Sequence, residues 1–152
     1  MKQILDELEK ITVEFAALLP GIAEEFYLYK PGPAKWSKKE ILGHLIDSAQ
    51  NNIRRFVVAQ YEDLPSIAYR QDDWVRMAGY QDYSREDLIS LWVLLNRHLY
   101  RVLSLLSEQD ANRKCKTSGP EPRTIAWLAA DYNKHLRHHL HQIMDLEAVA
   151  YP

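Results

Sequence analysis

Glycine and cysteine are both scarce here, with five glycines and one cysteine in 152 residues. No run of strictly alternating apolar residues stands out, which argues against a chain built of half-buried strands. Because Cys115 is the only cysteine, an internal disulfide is excluded. Its flanking Lys114 and Lys116 would favour the thiolate, and Gly119, Pro120 and Pro122 mark the segment from Asn112 to Pro122 as an exposed loop. An incidental surface thiol is the expectation. No stretch reaches the roughly 18 uninterrupted apolar residues of a membrane span. A surplus of positive charge is also missing: net charge is −2, which disfavours nucleic acid as a partner. The first ten residues, MKQILDELEK, are charged and amphipathic rather than signal-like, so a cytoplasmic setting is expected.

What is present is helical periodicity, repeated four times. The first helix is expected from Lys2 to about Leu19, burying Ile4, Leu5, Leu8, Ile11, Phe15 and Leu18 before Pro20-Gly21 ends it. Ser37, with Glu40 three residues later, forms a capping box that opens a second helix continuing to about Gln60. Ser84 opens a third, to about Leu106, with Leu88, Leu91, Trp92, Leu95, Leu99, Val102 and Leu106 on its apolar face. The fourth runs from about Thr124 to Ala148. The link from Tyr61 to Tyr83 is too long for a tight hairpin, so the helices it joins need not be simple antiparallel neighbours. The fold class is all-α, a four-helix bundle forming one domain over residues 1–152.

Histidines carry the chemical signal. Residues four apart stack on one helix face, so His135 and His139 can reach a common point. At about 100° per residue, both fall beside the apolar stripe of Ile125, Leu128, Tyr132, Leu136, Leu140, Ile143 and Leu146. His138 and His141 land on the other side and are expected to face solvent. On the second helix His44 borders the stripe of Ile41, Leu45, Ala49, Ile53 and Phe56, with Ser48, Asn52 and Arg55 following it along a polar strip. Asp47 lies on the far side and is assigned no role in orienting His44. His98 has no companion at ligand spacing and reads as structural. Two ligands from one helix rarely hold a catalytic metal, so His44 is the candidate third.

These residues resemble the DinB-like (DinB/YfiT-like) superfamily of metalloenzymes. The resemblance spans nearly the whole chain, from KWSKKEILGHLID at Lys35–Asp47 through QDDWV at Gln71–Val75 and NRHL at Asn96–Leu99 to DYNKHLRHHLHQI at Asp131–Ile143. It implies an up-down-down-up bundle and a divalent metal held by His44, His135 and His139, the same three residues the helical wheels select. It also implies a possible homodimer. Characterised relatives include S-transferases and isomerases that use low-molecular-weight thiols, alongside proteins described as metal-dependent hydrolases.

Three imidazoles leave an open coordination position, the mark of a catalytic rather than a closed site. Metal there could activate water for hydrolysis or a thiol for S-transfer, with a small molecule as substrate. Zinc or nickel is expected ahead of iron or manganese, although imidazole alone does not select among them. Asp72, Asp73 and Trp74 are placed in a connecting loop that could cover the bundle mouth, with a plain surface loop anchored by Trp74 as the alternative. Arg54, Arg55, Arg97 and Arg101 are read as solvated helix faces and ion pairs. The competing reading is a non-catalytic bundle that binds metal or a partner through its helix faces.

Overall fold

The structure, a computed structural model, describes residues 1–151. Its elements in chain order are α1 (Lys2–Leu18), α2 (Glu24–Leu28), α3 (Lys38–Val58), α4 (Gln71–Ala78), α5 (Arg85–Ser104), α6 (Glu108–Ala111), β1 (Lys114–Cys115), β2 (Arg123–Thr124) and α7 (Ile125–Ile143). The four long helices, α1, α3, α5 and α7, form a four-helix bundle in which α1 and α3 each pack against both α5 and α7. Leu8 and Phe15, Leu45 and Phe56, Trp92 and Leu99, and Leu128 and Leu136 meet in its core.

Capping side chains set where the helices start. Ser37 Oγ accepts the Glu40 N–H at 3.1 Å while Glu40 Oε2 accepts the Ser37 N–H at 2.8 Å, the reciprocal box expected. Ser84 and Thr124 cap α5 and α7 through the N–H groups of Asp87 and Trp127. Each such cap stabilises its helix by about 1 kcal/mol.

Cross-helix contacts give the sense of each helix. Asn133 donates to Ile4 O, Arg137 pairs with Glu7, and His141 stands against Phe15, so α7 runs parallel to α1. His44 meets His139 and Ser48 meets His135, so α3 runs the opposite way. Gln81, just before α5, accepts from Ser37 and Lys39 at the start of α3, which makes α5 parallel to α3.

Several sequence expectations need correction. Leu18 is exposed, and Leu19, in the 3₁₀ turn Leu19–Gly21, is buried in its place. The fourth helix stops at Ile143 rather than Ala148. Asp145 adopts φ 54°, donating its N–H to Gln142 O, while the Leu146 N–H reaches back to His141 O. That is a Schellman turn with aspartate in the left-handed position usually taken by glycine, and Lys38 pairs with its carboxylate. Leu146 therefore leaves the helix and is exposed.

The Tyr61–Tyr83 link is not a plain loop but carries α4, whose first turn holds Asp72 and Asp73 against the helix dipole and whose end is Gly79 at φ 64°. Cys115 is no surface thiol. It is fully buried in β1, which pairs antiparallel with β2, and burial pushes its pKa up despite the flanking lysines. Among the described residues no helix is long and apolar enough to cross a membrane.

Candidate metal centre

α3 presents His44 to the bundle interior, and α7 presents His135 and His139, one turn apart, to the same place. One ring nitrogen of each lies within 4.8 Å of those of the other two. His44 Nε2 and His135 Nε2 are 2.9 Å apart. Bonds of about 2.0–2.1 Å to one tetrahedral ion would set nitrogens about 3.3 Å apart, close to the observed 2.9 Å and inside the 4.8 Å limit. The donor set fits a divalent ion.

The outer ring nitrogens of His135 and His139 are held by neighbours that the sequence did not single out for this role. His135 Nδ1 lies 3.4 Å from Ser48 Oγ, one turn after His44 on α3. His139 Nδ1 lies 2.8 Å from Gln142 Oε1, and Gln142 Nε2 lies 3.1 Å from His138 Nε2. Since Gln142 Oε1 can only accept, His139 carries its proton on Nδ1 and keeps the lone pair on Nε2. Among the described residues His44 Nδ1 has no partner, although the Trp36 ring stands 4.9 Å from its imidazole.

Burial holds all three rings neutral, which is the ligand form. Burial, then the neighbouring His139, pulls the His44 pKa down to about 3. Burial, followed by repulsion from His44, His139 and His138, takes His135 to about 2. His139 shifts down as well, again through burial. Asp47 takes no part in this cluster: it accepts a 2.5 Å bond from Tyr80 Oη, and burial raises its pKa to about 6.

His138 and His141 stay outside the cluster, as the wheel indicates, but they do not simply face solvent. Both are half-buried, with Nδ1 bonded to main-chain carbonyls of the returning tail, Val149 O at 2.7 Å and Glu147 O at 2.8 Å. His98 is exposed on α5.

Two clefts flank the cluster. The first, about 510 Å³, is bounded by His135 with Ser48, Asn52, Arg55, Asp131 and Tyr151. Arg55 thus departs from the solvated-face reading: it is buried, whereas Arg54, Arg97 and Arg101 are exposed. The second cleft, about 590 Å³, brings His139 together with Trp36, Lys38 and Asp72. Asp73 instead pairs with Arg70 and Arg76, and Trp74 packs edge-on against Tyr69.

A family model of the DinB superfamily matches residues 7–143, and the chain belongs to that superfamily. Among solved structures, YfiT from Bacillus subtilis matches with a TM-score of 0.84 at 20% identity, over 95% of this chain and 83% of that one. It is described as a probable metal-dependent hydrolase with an unusual four-helix bundle topology. A mycothiol-dependent maleylpyruvate isomerase matches with a TM-score of 0.75 at 15% identity, over 98% of this chain but only 61% of the isomerase. The DinB-like protein YjoA from Bacillus subtilis follows at 0.64 and 18% identity, covering 94% of this chain and 87% of its own. No curated protein matches. At these identities the likeness to solved structures is one of fold.

Proposed function

We propose that this protein is a metal-dependent enzyme in which His44, His135 and His139 hold a divalent ion, zinc or nickel, and that it acts on a small molecule. The observation that carries the reading is the convergence of three neutral imidazoles, one buried and two half-buried, on one point between two open clefts. When bound, the ion supplies Lewis acidity that favours the anionic form of a thiol or a water, which permits S-transfer or hydrolysis. This chain's own residues do the rest. Ser48 and Gln142 fix the rings of His135 and His139, and the clefts admit substrate. The activated group is either a low-molecular-weight thiol, which gives S-transfer, or water, which gives hydrolysis. Cys115 cannot be the nucleophile, since it is buried in β1 with a raised pKa.

A sealed apolar channel would have favoured a non-catalytic bundle. The first cleft is instead open and lined by polar side chains, which supports the enzyme reading. The same proposal takes residues 1–152 as one domain that works in the cytoplasm, possesses no nucleic-acid or membrane partner, and pairs as a homodimer. Its net charge of −2 agrees with the absence of a nucleic-acid partner.

Elemental analysis of the protein beside the double variant His44→Ala/His135→Ala tests the site. About one zinc or nickel per chain, absent from the double variant and retained in His138→Ala and His141→Ala, is the expected result. Full metal content in the double variant would remove the assignment.

A further inference from the structure

Arg55 is a buried cation with no carboxylate bonded to it among the described residues, Asp131 acting on it only at longer range. It is only 7% exposed, on the α3 face that also carries His44, Ser48 and Asn52. Its Nε–H donates to Ile67 O at 3.1 Å and its Nη1 to Asn52 Oδ1 at 3.2 Å. Both acceptors are neutral, and no carboxylate pairs with the guanidinium among the described residues. Nη2 makes no hydrogen bond there, and the Tyr69 ring lies 5.9 Å from the guanidinium carbon. Leaving an arginine buried and unpaired is costly. Burial accordingly pulls its pKa below the ordinary value. Such an arrangement is retained where a ligand completes it.

The guanidinium borders the same cleft as His135. Asn52, which holds it, comes one helical turn after Ser48, which holds His135. The residues that hold the two groups are therefore neighbours on α3, and both groups face one cleft.

We propose that Arg55 binds the carboxylate of the substrate or co-substrate, placing the reacting group at the histidine cluster. A carboxylate suits the site better than a phosphate dianion for two reasons. Among the described residues Arg55 is the only buried cation on this cleft, because Arg123 is exposed and stacks over Trp127. Asp131 and Glu121 border the same cleft and repel a second negative charge. A planar carboxylate also matches the edge of a guanidinium. The inference rests on the proposed function for the reaction that follows, but the binding step needs no metal.

The test is an NMR titration of metal-free protein, labelled at the arginine side chains, with butyrate, with its neutral isostere butyramide and with inorganic phosphate. Butyrate should shift the Arg55 Nε and Nη signals saturably. Butyramide and phosphate should bind at least about tenfold more weakly. Arg55→Met should weaken butyrate by about 10- to 100-fold, with Arg55→Lys intermediate. Equal binding of butyramide, tighter binding of phosphate, or no saturable butyrate binding would each overturn the proposal. So would unchanged butyrate affinity in Arg55→Met. The butyrate–butyramide comparison uses wild-type protein alone and decides the matter even if the variants do not fold. Metal content, measured separately, keeps the two readings apart. Butyrate binding by a protein that takes up no metal would leave Arg55 standing and remove the metal centre, and metal uptake without butyrate binding would do the reverse.

Discussion

The ring of Tyr80 fills the space that a side chain at Gly43 would need: a Cβ there would stand 2.1 Å from Tyr80 Cδ2. This close approach lets Tyr80 Oη reach Asp47 one turn further along α3. Glycine at position 43 is thus required by packing rather than by backbone conformation.

Gly43→Ala should destabilise the protein by about 1–3 kcal/mol through overpacking against a buried ring. In an unobstructed helix interior the same change would stabilise by up to about 1 kcal/mol, so the sign of the effect is diagnostic. The urea midpoint decides it, and a variant as stable as wild type would show that Tyr80 yields freely.

Gln142 is exposed, so its loss should hardly alter the fold of the metal-free protein. Gln142→Leu nevertheless removes the acceptor that fixes the His139 ring. Metal affinity should fall about 10- to 100-fold, as read by chelator competition. Gln142→Glu keeps an acceptor and should retain most of the affinity. Equal affinity in Gln142→Leu would mean that packing alone orients His139.

Acid should weaken the metal-free protein in a defined window. The folded-state pKa values of His44 and His135, about 3 and about 2, lie below the ordinary value near 6.5. Between these limits the unfolded chain binds more protons, so their stabilisation is complete above about 6.5 and is lost as pH falls. Asp47 works in the opposite sense: its pKa, raised to about 6, makes its contribution largest below the ordinary carboxylate range and lost as pH rises through about 6. Two histidines, supported by the downward shift of His139, outweigh one aspartate. The urea midpoint of chelator-treated protein should therefore drop between pH 7 and pH 5, and His44→Leu should flatten the slope. A midpoint that rises on acidification would contradict the neutral, buried state of these rings.

The cluster was legible in the sequence because its geometry is local to two helices. Spacing of four places His135 and His139 on one side of α7, and the capping box at Ser37 fixes the phase of α3 and hence of His44. Features that depend on tertiary contact were not. Cys115 looked exposed because two-residue strands are too short to show alternation, and its burial comes from pairing with the segment around Arg123. Arg55 sits beside Arg54 in an ordinary-looking basic pair, and only the Ile67 carbonyl and the cleft behind it distinguish the buried member. The Schellman turn at Asp145 carried no glycine signal, so Leu146 was counted one turn too far along the apolar stripe.

That turn has a further effect. Val149 O can only accept a hydrogen bond, so His138 must protonate Nδ1 and offer its bare Nε2 to the amide of Gln142. The amide orientation then follows, with its oxygen toward His139. Polarity is thus transmitted from a peptide carbonyl in the tail, through two side chains, to the nitrogen that faces the centre of the bundle. A histidine outside the ligand set, packed edge-on against His139, thus helps to orient the lone pair available there.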